Sequence, residues 1–229
     1  MCGRFTLKTS PEALQNELEL VLPNTIQLLP RYNIAPSQPV AVVTSGSRRE
    51  VALFRWGLIP GWARDPRIGN KMINARAETL IEKPAFRAPL IERRCIVLAD
   101  GFFEWRPDGR SKTPTYIQLE SRRPFALAGL WDTWVDASGG VRSTCAIITT
   151  APNAFMARYH NRMPAILPRN RVMDWLSPDE RNARALVAML RPWSGEPLEA
   201  HAVSSLINDP DVDRPECIER VPEPLRLFE

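Results

Sequence analysis

The alternation of hydrophobic and polar positions changes period several times along the chain, and each change marks an element. Ser10-Pro11-Glu12 offers a capping serine and a proline at the first helical position. Leu14, Leu18 and Leu22 follow at four-residue spacing, which predicts an amphipathic helix. A proline-punctuated loop, Arg31-Tyr32-Asn33-Ile34-Ala35-Pro36, leads into the strand-like run Val40-Ala41-Val42-Val43. Arg48-Arg49-Glu50 reads as a hairpin tip, and residues 51–56 alternate into a second strand closed by Gly57-Leu58-Ile59-Pro60-Gly61-Trp62. Residues 74–80 form a short helical candidate. Runs rich in β-branched and aromatic residues at 95–99, 101–105, 114–119, 124–131 and 143–150 are separated by turn signals at Pro107-Asp108-Gly109 and Ser138-Gly139-Gly140. Their spacing predicts an antiparallel meander or barrel. Ser177-Pro178-Asp179-Glu180 is a capping box expected to start a helix whose inner face is Ala183, Leu186, Val187 and Leu190. The last 30 residues are proline-rich and read as irregular. With no repeat, linker or low-complexity stretch, the expectation is one α+β domain over 1–229. Its core is mostly antiparallel sheet, barrel-like, flanked by short α-helices.

Composition narrows the class. A chain of 229 residues buries roughly 70–75% of its unfolded surface and needs no metal or disulfide to fold. At 44% hydrophobic and 24% charged residues it is neither disordered, collagenous nor coiled coil. No apolar run approaches the roughly 18–20 residues of a membrane span. The start, Met1-Cys2-Gly3-Arg4-Phe5, lacks a signal peptide's apolar core, so a cytoplasmic protein is expected, nucleoid-associated in a bacterium. The 22 prolines argue for short elements and ordered turns. Of 30 basic residues 26 are arginine, whose planar fork fits phosphate and stacks on bases. That bias is compatible with a nucleic-acid partner, and equally with a GC-rich genome.

Four cysteines (Cys2, Cys95, Cys145, Cys217) and two histidines (His160, His201) make no pair at metal-ligand spacing, so neither a metal nor a cofactor is expected. Cys95 and Cys145 sit in apolar runs and read as small buried hydrophobes. Cys2 differs. Removal of Met1 leaves it with both an α-amine, of pKa about 7.7–8.0, and a thiol of about 8.5. Such a 1,2-aminothiol condenses with an aldehyde to a Schiff base, and the thiol then closes on the imine carbon to give a thiazolidine. The same pair serves an enzyme that attacks an amide with a terminal nucleophile. On Cys2 alone, an accidental second-position cysteine is the more economical account; the Gly3-Arg4-Phe5 neighbourhood, with its anchoring aromatic, argues for a packed terminus.

Glu104 lies in Asp100-Gly101-Phe102-Phe103-Glu104-Trp105. In a strand, Phe102, Glu104 and Arg106 share one face. A carboxyl among aromatics is desolvated, its pKa rises, and proton transfer near neutrality becomes accessible to it; a solvated Glu–Arg pair is the alternative. His160, in Arg158-Tyr159-His160-Asn161-Arg162, is an acid–base candidate or a surface histidine. His201 reads as an organiser of the C-terminal segment. Asn74 is a helix cap on the simplest account, with Arg76 near enough to meet a phosphate at the same end. Trp56 reads as core; Trp62, if exposed, is a stacking platform for unpaired bases.

Taken in order, Met1-Cys2-Gly3-Arg4-Phe5, Arg31-Tyr32-Asn33-Ile34-Ala35-Pro36, Arg55-Trp56-Gly57-Leu58-Ile59-Pro60, Asn74-Ala75-Arg76-Ala77-Glu78-Thr79, Leu98-Ala99-Asp100-Gly101-Phe102-Phe103-Glu104-Trp105, His160-Asn161-Arg162-Met163-Pro164 and His201-Ala202-Val203-Ser204 form a series that resembles the SRAP (SOS response-associated peptidase) family of abasic-site processing proteins, from residue 2 to about 218. The resemblance implies a monomer that recognises abasic sites in single-stranded DNA at stalled forks. There it forms a thiazolidine crosslink through Cys2, shielding the lesion. It implies Cys2, Asn74, Glu104 and His160 as the catalytic set: Asn74 holding the terminus and the opened sugar, Glu104 assisting ring opening and imine formation, His160 shuttling protons. Arg4, Asn33, Pro36, Trp62, Arg76, Thr149 and Arg162 fall where the family lines its DNA channel. A lyase activity and an autopeptidase activity belong to the same picture, the latter unneeded where Cys2 directly follows Met1. Two positions depart from the pattern: Ala63 follows Trp62 where many members have a second aromatic, and Asn208-Asp209 replaces a paired Asn. Two other readings stand beside this one. A terminal-nucleophile peptidase or amidohydrolase would turn over an amide without DNA. A single-strand binding module would work unchanged without the Cys2 thiol.

Overall fold

The computed structural model describes residues 2–46, 48–108 and 111–222. Short runs of β-branched and aromatic residues build strands wherever a neighbouring run can complete the ladder. In chain order the elements are β1 (Phe5–Leu7), α1 (Pro11–Leu18), β2 (Arg31–Ile34), β3 (Pro39–Thr44), β4 (Val51–Trp56), β5 (Asn74–Arg76) and α2 (Pro84–Glu92). Then follow β6 (Arg94–Ala99), β7 (Gly101–Asp108), β8 (Ser111–Leu119), β9 (Phe125–Val135) and β10 (Val141–Thr150). The chain continues through β11 (Met163–Pro164), β12 (Ile166–Leu167), α3 (Val172–Leu176), α4 (Ala183–Ala188) and β13 (Leu198–Ala202).

The mixed, sheet-dominated architecture agrees with the sequence. Strands β4, β3, β6, β9 and β10 close on one another, because β10 pairs with β9 along Val141–Ile147 as well as with β4. All six residues of β6 are buried, as befits a strand covered on both faces. A second sheet, in the order β13-β8-β7-β1-β2, carries the amino-terminal strand in its interior. Most described strand pairings are antiparallel, as expected, with β10 running parallel to β4 and to β5.

Several elements differ from the sequence reading, each for a tertiary reason. The first helix starts as predicted, with Ser10 accepting from the Ala13 N–H, but it ends at Leu18. Glu19 turns left-handed (φ 53°), so Leu22 packs on the core from beyond the helix. Residues 74–80 are not a helix: Asn74–Arg76 pair with Ile147–Thr149 of β10 and a 3-10 turn follows at Ala77–Thr79. An available strand edge outweighs weak helical propensity here. The helix expected after the 177–180 capping box begins only at Ala183. Ser177 terminates α3, and Asn182 caps α4 by accepting from the N–H groups of Arg184 and Ala185. The stretch read as irregular opens on the last three residues of β13, Ala200, His201 and Ala202, which pair with Ile117, Tyr116 and Thr115 of β8. The turn expected at Ser138-Gly139-Gly140 is present, with Asp136 accepting from the Ser138 and Gly140 N–H groups; that at Pro107-Asp108-Gly109 runs outside the described residues.

Arg94 shows how the helices are fixed to the barrel. It is fully buried, and its guanidinium donates to the carbonyls of Leu90 (2.9 Å) and Ile91 (2.7 Å) at the end of α2. It also donates to Trp175 (2.7 Å) and Ser177 at the end of α3. One side chain thus satisfies the orphan carbonyls of two helix C-termini.

Candidate active site and nucleic-acid interface

Strand pairing brings three of the four candidate catalytic residues, Cys2, Asn74 and Glu104, together. β1 lies antiparallel to β7 with Phe5 opposite Phe102, and the Phe103 N–H donates to the Arg4 carbonyl at 3.0 Å. Residues 2–4 therefore run alongside 103–105, and Cys2 is near enough to feel the charge of Glu104. From the other side the Asn74 amide donates to the Cys2 carbonyl at 2.9 Å, across 72 residues of sequence. The Oδ1 of Asn74 is buried with no hydrogen-bond partner among the described residues, an acceptor waiting beside the amino-terminal segment. Asn74 is thus a strand residue facing Cys2 rather than a helix cap.

The electrostatics follow from burial. Glu104 is 2% exposed, and desolvation pushes its carboxyl up to about 7, so near neutrality it both gives and takes a proton. Phe102, on the same face, joins the main core; Phe103 and Trp105 point the other way, against Tyr116, Val203, Ile207 and Cys217, as strand alternation requires. Cys2 departs from its sequence reading. With Met1 preceding it, its side chain is fully buried, and desolvation with the Glu104 charge holds the thiol well above the ordinary cysteine value. In this state the sulfur is protonated and weakly nucleophilic. His160 sits in the loop between β10 and β11. Its Nδ1 accepts from the Arg162 N–H at 2.9 Å, so the neutral ring carries its proton on Nε2. Burial, with the Arg162 and Lys112 charges nearby, lowers its pKa below the ordinary histidine value.

The seven candidate DNA-contacting residues divide into two groups. Trp62 (64% exposed) and Arg76 stand out to solvent, and Pro36 is half-buried. Trp62 rims a concavity of about 570 Å³ with Arg64, Arg67 and Lys71, on a loop pinned where Trp134 Nε1 donates to the Ala63 carbonyl (2.7 Å). By contrast Arg4, Asn33, Thr149 and Arg162 are bonded within the protein. Arg4 donates to Asn33 Oδ1 (2.7 Å) and to the carbonyls of Ile207 and Asn208. Asn33 is fully buried, its amide donating to the carbonyls of Asp209 (2.9 Å) and Val212 (2.7 Å). Thr149 is buried beneath Arg162, which donates to its carbonyl at 2.6 Å and forms a fork-to-fork pair with Glu78. Trp56 is core, as expected.

Arg4 and Asn33 therefore clamp residues 205–213 against β1 and β2, helped by Asp213, which accepts from the Tyr32 and Asn33 N–H groups. The Asn208-Asp209 departure is absorbed, because Asp209 offers its main-chain carbonyl, and the Asn208 side chain accepts from Trp105 Nε1 at 2.9 Å. His201 ties down the segment beyond through Ile218 O at 2.8 Å. Asn33→Ala strands several buried carbonyls and should lower stability by about 2–4 kcal/mol, measured by denaturant titration. Sequence reasoning missed Asp213 and Glu78 as members of this region; Glu78 stood inside a quoted motif, but nothing local identifies its partner.

No described helix is long and apolar enough to cross a membrane, and no described cluster of His, Cys, Asp and Glu could hold a metal ion. Residues 1–210 match the family described as SOS response associated peptidase (SRAP). The chain is 46% identical over 223 residues to the abasic site processing protein YoqW of Bacillus subtilis (strain 168), covering 96% of this chain and 99% of that one. It is 32% identical over 222 residues to the abasic site processing protein HMCES of Gallus gallus, covering 82% of this chain and 66% of that one. The crystal structure of a Bacteroides thetaiotaomicron protein superposes with a TM-score of 0.86 at 31% identity, covering 96% of this chain and all of the other.

Proposed function

The chain belongs to the SRAP family, and on that footing we propose that it captures abasic sites in single-stranded DNA as a covalent thiazolidine through Cys2 once Met1 is removed. The observation that carries this reading is the convergence of Cys2, Glu104 and Asn74 from three separate strands or strand edges.

An abasic sugar is a masked aldehyde. Glu104, poised near neutrality, donates a proton to the ring oxygen while the anomeric hydroxyl gives up its own to solvent, and the sugar opens to the aldehyde. The Cys2 amine adds to the aldehyde carbon, and the carbinolamine loses one water as the imine forms. His160, with its proton on Nε2, gives that proton and takes one back in these transfers. The thiol then adds to the imine carbon, its proton passing to nitrogen, and the five-membered ring closes. While Met1 remains there is no amine at Cys2, and the thiol is held protonated. Freeing the amine supplies the nucleophile, and its positive charge lowers the thiol pKa. The unfilled Oδ1 of Asn74 is an acceptor for that amine. Trp62, Arg76 and Pro36 offer a strand a stacking face and charge, while Arg4 and Asn33 shape the channel wall from behind.

The test is an intact-mass spectrum before and after exposure to an abasic single strand. The expected gain is the mass of the strand less one water; no gain, with Met1 absent, overturns the reading. A second outcome concerns ionic strength. Non-covalent affinity should fall by about 0.7 log units per log unit of salt for each phosphate contacted. The rate of crosslinking in pre-bound complexes should barely move. Equal salt dependence in a titration and a single-turnover experiment would contradict that order of steps.

A further inference from the structure

We propose that Glu78 is a resident anion in the phosphate subsite formed by Arg162, occupying the guanidinium fork in the free protein and yielding it to a backbone phosphate when a strand binds. This deepens the reading above and rests on it for the identity of the ligand.

The geometry is that of a phosphate contact with a carboxylate in its place. Arg162 Nη1 donates to Glu78 Oε1 at 2.7 Å and Nη2 to Oε2 at 2.9 Å, two parallel bonds of the kind arginine makes with carboxylate or phosphate alike. The remaining reach of Nη2 goes inward, to the Thr149 carbonyl (2.6 Å) and hydroxyl (3.3 Å). The protein thus fixes the inner edge of the guanidinium, and Glu78 covers the outer one. The exposures agree: the Arg162 side chain is 15% exposed, that of Glu78 50%. The carboxylate is the solvent-side member of the pair, and the one that can leave. Two cations act on it, Arg162 and the exposed Arg76 two residues away, a field that suits any anion placed there. Leaving is inexpensive, because half-exposed ion pairs contribute little, whereas the Thr149 contacts keep the fork aimed after Glu78 swings out. A lone cation would hold any polyanion; an occupied fork favours a strand that delivers its phosphate in register and is weak towards isolated anions.

Binding of an undamaged oligothymidylate, followed by fluorescence anisotropy, tests this without relying on crosslinking. Glu78→Gln should tighten binding about two- to fivefold near 0.1 M salt, the release of one partly exposed pair. It should also steepen the salt dependence by up to about 0.7 log units per log unit, one phosphate's worth. Glu82→Gln, the same charge change at a neighbouring exposed position, should leave affinity nearly unaltered, and the Glu78→Gln gain should vanish in an Arg162→Gln background. Weaker binding by Glu78→Gln would mean that Glu78 holds Arg162 in place for phosphate, and would overturn the proposal. So would a gain that survives Arg162→Gln or is matched by Glu82→Gln. Adduct formation with an abasic strand alongside any of those results sinks the Glu78 assignment alone. Failure of the wild-type protein to bind or crosslink DNA sinks the functional reading and this assignment with it.

Discussion

Cys2→Ala should form no heat-stable adduct with an abasic single strand, the largest effect expected of any single substitution. The reason is chemical rather than structural. Ring closure needs a sulfur on the carbon next to the amine-bearing one, and no other described cysteine substitutes: Cys95, Cys145 and Cys217 are buried in strands or under the C-terminal segment. The α-amine survives in the variant, so an imine still forms and still hydrolyses. Borohydride should therefore trap the Cys2→Ala protein on the strand, while heating without reductant releases it. Non-covalent affinity should stay within about twofold, since it resides in phosphate contacts that the sulfur does not make. Cys2→Ser separates the functions further, keeping a polar atom of similar size without the sulfur. Heat-stable adduct in Cys2→Ala would remove the thiazolidine from the mechanism.

The second large effect belongs to Glu104. Glu104→Gln keeps the shape and removes the proton donor, and should slow adduct formation by about 10²–10⁴, the usual worth of a positioned acid–base group. The pH dependence discriminates it from a merely structural loss. In the wild-type protein the rate should change around pH 7, where the buried carboxyl titrates, and that inflection should be missing from the variant. Stability moves with it. The folded-state pKa, about 7, lies above the ordinary 4.5, so the folded protein holds this proton more tightly than the unfolded chain. The stabilisation is complete below about 4.5 and is lost as pH rises through about 7, leaving a buried charge. Glu104→Gln should therefore gain stability relative to wild type at pH 8 and not at pH 4, by about 2–3 kcal/mol at most. Thermal melts at the two pH values measure this; equal differences at both would place the Glu104 titration elsewhere.

Much of this arrangement was legible in the residues. Period two through 101–105 put Glu104 on the Phe102 face and left a desolvated carboxyl or a solvated Glu–Arg pair open; the carboxyl is buried. The apolar runs became strands close to their expected bounds, and Ser10 capped its helix. The ordered motifs identified the family. What failed were local signals that met a competing partner. Residues 74–80 read as helix until the edge of β10 was available to pair with them, and Ser177 read as a cap until Asn182 proved better placed. Arg4 and Asn33, which the resemblance put at the DNA channel, also bond to the carbonyls of a segment some 170 to 200 positions away, contacts that no neighbour along the chain announces.

The division has a simple cause. Periodicity, capping and the chemistry of an aminothiol are properties of neighbours along the chain, so the sequence by itself determined the strands of the barrel, the face that Glu104 shares with Phe102 and the reactivity latent in Cys2. Register and closure are properties of segments that meet only after folding. Only the tertiary structure decided that Asn74 reaches Cys2, that the thiol lies buried against Glu104's charge, and that Arg162 already holds a carboxylate. A side chain's hydrogen-bond partner is fixed by what lies across the ladder, and that depends on which strands pair and by how many residues they are offset.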